Sequence, residues 1–140
     1  MEEILNLDNY TEAGFELLQI QLPLGRTTVT YRVYKTPTED RDAVQHRTEP
    51  ALRWLMQYSS RAAARTADEL LPLKNENWLR EGESEATKVD FLRKLNLFDV
   101  KVDLSGHLHL TYAAGDLFWG HEIVVGLTDE QDYEYFTLQG

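Results

Sequence analysis

From Phe98 onward the sequence reads as strand after strand: "FDVKVDL" (98–104), "HLHLTY" (107–112), "DLFWGHEIVVGL" (116–127) and "YEYFTL" (133–138). Apolar and polar residues alternate within them, and the breaks between them are too short for a helix, so the pattern predicts an antiparallel β-meander. Parity fixes its first turn. Phe98, Val100 and Val102 share one face, and Leu108, Leu110 and Tyr112 share one face on the next strand, so cross-strand partners must both be even-numbered. A two-residue turn is excluded. A loop of Leu104, Ser105 and Gly106, with Gly106 left-handed, pairs Asp103 with His107 and Val102 with Leu108.

The N-terminal half supplies what a sheet with one apolar face needs to bury it. "FELLQIQL" (15–22) and "TTVTYRVY" (27–34) flank "PLGR" and read as a hairpin. Pro37 breaks the second strand, Thr38 is a candidate cap, and a helical region runs from about Glu39 to Leu71. Thr48 and Pro50 look like a second helix start, which predicts a kink or break near 48. Leu52, Leu55, Ala62, Ala63, Thr66, Leu70 and Leu73 recur at steps of three and four and mark the core face, small enough in the middle to lie close on a sheet. Pro72 is expected to end this helix, with "KNENW" a loop. A shorter helix follows, with Ser84 as a candidate cap, Thr87 and Asp90 in its first turn and Asn96 at its C-cap. The fold class that emerges is α+β in one domain spanning 1–140: an N-terminal β-hairpin, a long kinked helix and a shorter helix packed on an antiparallel C-terminal β-meander.

Composition narrows the function classes. The hydrophobic content of 42% is that of a chain that folds, despite a formal charge of -10. With 14 basic against 24 acidic side chains, a phosphate-tracking surface is disfavoured, so no nucleic acid partner is expected. No run approaches the length of a membrane span, and the acidic start "MEEILNLDNY" is unlike a signal peptide. A cytoplasmic, membrane-free protein is the expectation. The absence of cysteine removes disulfides and thiolate metal sites.

Few residues suggest chemistry. His107 and His109 point to one strand face, and His121 is a possible third nitrogen for a metal-assisted hydrolase. That face also carries Asp99, Lys101 and Asp103, the pattern of a solvated face, and no coordination set is completed, so no metal and no cofactor are assigned. There is no nucleophile elbow, P-loop or dinucleotide glycine pattern, and the chain is read as a non-enzyme. In "GDLFWGHEIVV" strict alternation would put Leu117, Trp119, His121, Ile123 and Val125 on one face and Phe118, Gly120, Glu122 and Val124 on the other. Asp116, Phe118, Trp119, Gly120 and His121 then form a structural motif, His121 bonding a buried group and Asp116 serving a turn. The more informative feature is charge: from Asp116 to Gly140 there are six acids and no Lys or Arg. Asp129, Glu130, Asp132 and Glu134 interleave with Tyr133 and Tyr135, and a second acidic loop carries Glu81, Glu83 and Glu85. Tyrosines among carboxylates suit a protein-binding surface that steers a basic partner.

"NENWL", the helix "VDFLRKL", the hairpin "FDVKVDLSGHLHLTY" and the strand "GDLFWGHEIVV" before a final "LQG" resemble a bacterial family of uncharacterised small proteins. Its hallmark is a near-C-terminal D-L-F-W-G-H-x-I-x-V strand, matched by Asp116, Leu117, Phe118, Trp119, Gly120, His121, Ile123 and Val125. The likeness covers the chain from about residue 50 to residue 140. Members look like immunity proteins encoded beside polymorphic toxins. The resemblance therefore implies an inhibitor that binds a cognate, basic toxin domain and masks its active site. A non-toxin adaptor or regulator using the same acidic surface is the alternative.

Overall fold

A computed structural model describes residues 6–14 and 16–140. Phe15, where the sequence reading begins the first strand, and residues 1–5 lie outside the described residues. After a single 3-10 turn (Leu7–Asn9) the chain forms β1 (Thr11–Glu12), β2 (Leu17–Leu24), β3 (Thr27–Tyr34), α1 (Arg41–Asn77), α2 (Lys88–Lys94), β4 (Asn96–Val102), β5 (Leu108–Ala113), β6 (Glu122–Leu127) and β7 (Tyr133–Gln139). The seven strands lie in one sheet in chain order. Hairpin and meander are joined by the parallel pair β3–β4, Thr30 opposite Asp99 and Val33 opposite Val102, with both helices in the crossover between them. All other neighbours are antiparallel. The class is the α+β expected.

Period-two alternation decides which face is covered. Leu18 and Leu22 of β2, Val29, Tyr31 and Val33 of β3, Val100 and Val102 of β4, Leu108, Leu110 and Tyr112 of β5, and Ile123 and Val125 of β6 are all buried in the core. The alternate positions, among them Arg32, Lys101, His109 and Tyr135, form the second face. The β4–β5 turn is as parity requires: Val102 faces Leu108, Asp103 N–H donates to His107 O at 3.0 Å, and Gly106 has φ 82°. Pro23 is tolerated inside β2 because β1 pairs only as far as Gln19, leaving one edge of β2 free beside the proline.

Helix α1 corrects three expectations. It is capped by Asp40, whose carboxylate accepts from Ala43 N–H at 2.8 Å, and not by Thr38. It is unbroken at 48, and it continues past Pro72 to Asn77, so its 37 residues span about 55 Å. Both prolines are exposed, as are His46 and Asp68, the residues four positions earlier whose carbonyls lose a donor, so water can serve those groups. Thr48 is no cap: it is buried in mid-helix, donating to Val44 O at 2.8 Å. The buried stripe Val44, Thr48, Ala51, Leu52, Leu55, Ala62, Thr66, Leu70 and Lys74 is continuous across both prolines, and this packing keeps the helix whole. Near its start Arg47 donates to Asp103 O at 2.9 Å and Tyr34 O at 2.7 Å while pairing with Glu39, tying the helix to the sheet.

Helix α2 is capped by Thr87 in a reciprocal capping box with Asp90, not by Ser84. Its C-cap is Leu95, because Asn96 already pairs with Ala113 as the first residue of β4.

Candidate functional site

The motif expected as a strand from Asp116 is mostly a coil of turns. Leu117 N–H donates to Ala114 O (3.1 Å), Trp119 N–H to Asp116 O (3.3 Å) and His121 N–H to Phe118 O (3.0 Å), so β6 starts only at Glu122. Gly115 and Gly120 take φ values of 56° and 89° at the two ends of the coil. Between them Leu117 and Phe118, which alternation would put on opposite faces, are both buried. Trp119 has φ 55°, a conformation costly for a bulky side chain, and the residue is 45% exposed. Trp119 therefore lies at the surface, beyond the alternation of the sheet.

The indole is held from below. Its Nε1–H donates to Trp78 O at 3.2 Å, its ring lies 4.8 Å from that of Trp78, and the Arg80 guanidinium sits 5.3 Å over it. The Trp78 carbonyl also accepts from Lys74 Nζ at 2.7 Å. Lys74 ends the buried stripe of α1 and is itself 1% exposed, with Glu83 as its counter-charge at 3.1 Å. Glu83 in turn accepts from Arg80 N–H at 2.8 Å. That backbone bond, followed by the bond from Lys74, holds the Glu83 carboxyl below its ordinary range. A buried ammonium thus fixes the loop that frames Trp119. Trp78 also packs on Phe118 and His121, and His121 Nδ1 lies 2.8 Å from Phe118 O, a part-buried bond made within a turn and not from an apolar strand face. Asp116 pairs with Lys94 at 2.7 Å, which lowers its pKa.

The two acidic loops are separated. The β4–β5 and β6–β7 turns lie at one end of the sheet, whereas the 114–121 coil, tied to Trp78 and Arg80, lies at the other. Glu81, Glu83 and Glu85 thus sit away from Asp129, Glu130 and Asp132. Glu81 and Glu85 are exposed and form no ion pair with a described residue, while Glu83 is occupied by Lys74. In the other loop Thr128 Oγ1 accepts from Glu130 and Asp132 N–H, and Asp129, Glu130, Asp132 and Glu134 are exposed.

Tyr133 and Tyr135 do not share a face. A bulge makes Leu127 face Tyr133 and Gly126 face Tyr135, with Glu134 the extra residue. Tyr133 is stacked on Phe136 and edge-on to Trp54, against α1. Tyr135 lies over Gly126 on the other face, its hydroxyl 3.0 Å from His109 Nδ1, and His109 Nε2 is 3.0 Å from Asp103 Oδ2. A neutral imidazole meets both contacts with its proton on Nε2. His109 faces Gly126 within the sheet, whereas His121 lies in the coil that precedes β6, and the three histidines form no metal-binding group. Among the described residues no group of three or more His, Asp or Glu side chains is placed to hold a metal, and no helix is long and apolar enough to cross a membrane.

Sequence reasoning missed Lys74, Trp78 and Arg80. The signal for Lys74 was its place four residues after Leu70 on the apolar stripe, where a charge needs a buried partner.

No curated protein and no solved structure matches the chain. The model of a family described as an uncharacterized protein conserved in bacteria, DUF2262, matches residues 7–137, and the chain belongs to that family.

Proposed function

We propose that this protein acts by binding, as the inhibitor of a bacterial toxin, and that a basic toxin domain docks on the Trp119 end. The observation that carries the reading is the indole itself: a large exposed ring held rigid in a strained backbone, ready to anchor a partner with little further loss of freedom. Exposed Glu81 and Glu85 in the adjoining loop, and the net charge of -10, suit a basic partner. Tyr133 and Tyr135 serve less well as anchors, since each is already engaged inside the molecule.

The test is co-expression with a toxin encoded beside the gene, followed by binding kinetics. Protection is expected. Trp119→Ala should weaken binding by about 30-fold or more, mainly through faster dissociation. Reversing Asp129 and Glu130 to lysine should slow association by no more than about ten-fold, less at high salt. Undiminished killing sinks the inhibitor reading; wild-type binding by Trp119→Ala moves the docking surface elsewhere.

A further inference from the structure

On the side of α1 that meets β7, Trp54, Tyr58, Arg61, Arg65 and Tyr133 line an open cavity of about 330 Å³. Its walls are rings and its charges are two guanidinium groups one helical turn apart. Arg61 lies 5.1 Å over Tyr58, Arg65 lies 4.9 Å over Tyr133, and Trp54 joins the two halves, 6.0 Å from Tyr58 and edge-on to Tyr133 at 6.2 Å. A guanidinium lying over a ring keeps its N–H edges free for an acceptor. Arg65 spends only Nε, on Glu69 at 2.9 Å, and Arg61 has no carboxylate or hydrogen-bond acceptor among the described residues. Unused donors beside three aromatic faces are unexpected in a chain with ten more acids than bases.

We propose that this cavity binds a small planar anion: one ring system carrying a carboxylate or a phosphate, the ring against Trp54 and the anionic group in the fork of Arg61 and Arg65. Three observations select that class. The volume is at the low end of small-molecule sites, enough for one ring and its charged group. The aromatic walls reward a flat face, and the paired arginines reward bidentate oxygen acceptors. The net charge of -10 on the molecule as a whole opposes a polyanion whose charges extend past the pocket, while a single anion in contact with both guanidiniums is within the short range where they dominate.

The site is independent of toxin docking. Side-chain NMR resonances of Arg61, Arg65 and the Trp54 indole are followed while adenosine monophosphate and, separately, indole-3-acetate are titrated into the intact protein, with adenosine, inorganic phosphate and acetate as controls. At least one ring-bearing anion should give saturable shifts in the millimolar range or tighter, and which one does so identifies a phosphate or a carboxylate as the natural group. Arg61→Ala, an exposed change that leaves the rest of the spectrum in place, should weaken that binding roughly ten-fold. Trp119→Ala should leave it unchanged. No saturable shift with either probe overturns the proposal, as does binding by phosphate or acetate alone of equal strength, indifference to Arg61→Ala, or a single-stranded oligonucleotide that binds more tightly than the monophosphate.

Discussion

Gly126 is the position in β6 on which the ring of Tyr135 lies, and a Cβ added there would collide with that ring. Gly126→Ala should therefore displace Tyr135, break its bond to His109 and cost about 1–3 kcal/mol, seen as a lower thermal midpoint and a shifted His109 ring resonance. His121→Ala should cost about 1 kcal/mol, because Phe118 O loses its side-chain partner and Trp78 loses a packed ring. An unchanged midpoint would return His121 to the list of functional groups. The bond of His121 to a carbonyl was legible from its place in an apolar run; its local geometry was not. "LFW" is apolar at every position, so it fixes no period, and only the glycines at 115 and 120 hinted that the chain coils before it extends. The β4–β5 turn was legible to the residue because Val100 and Val102, and Leu108 and Leu110, alternate with polar residues right beside it; the expectation that Phe98 shares their face fails, because a bulge between Leu97 and Asp99 puts Leu97 in the core instead.

At the level of elements, α1 is a contest between local and tertiary terms. Proline at 50 removes the bond to His46 O, yet the stripe it interrupts is buried from Val44 to Lys74, so packing prevails. The strain remains, and Pro50→Ala should stabilise the protein by about 1–3 kcal/mol with no change of fold. Thermal melts and far-ultraviolet circular dichroism check this; a lower midpoint would mean that proline's restriction of the unfolded chain outweighs the missing bond. Sequence reasoning placed a kink or break near 48 and an end at Pro72 because it weighs only local propensity and cannot see what a helix packs on. It placed the α2 start within a few residues because Thr87 and Asp90 form a cap whose partners are both local. The acidic loops were visible as charge, but Glu83 differs from Glu81 and Glu85 through its bonds from Arg80 N–H and from Lys74, and Lys74 is far enough along the chain to escape any loop pattern.

Across the whole molecule, Glu39, Glu83, Asp90, Asp103 and Asp116 are all held below the ordinary carboxylate range. For Asp103 burial pushes the other way, but the bonds from His109, His107 and Ser105 prevail. A carboxyl depressed in the folded state binds protons sooner in the unfolded one, so its contribution is complete above the unfolded pKa and lost as pH falls through the folded value. The melting temperature should thus hold from neutrality to about pH 5 and fall below about pH 4.5. A midpoint that rises on acidification through pH 4 would show that relief of negative self-repulsion dominates instead. The parallel join of β3 to β4 was not legible, since nothing in "TTVTYRVY" or "NLFDVKV" says which edge of the meander the hairpin meets. That join also sets an order of events. Every antiparallel pair closes over a short stretch of chain, whereas Thr30 meets Asp99 only after the whole helical crossover has been gathered in, the costliest loop closure in the molecule. Hairpin and meander should each gain amide protection early in refolding, and the seam between them should close last, so the unassembled chain transiently carries two bare strand edges, β3 and β4, available to a second copy.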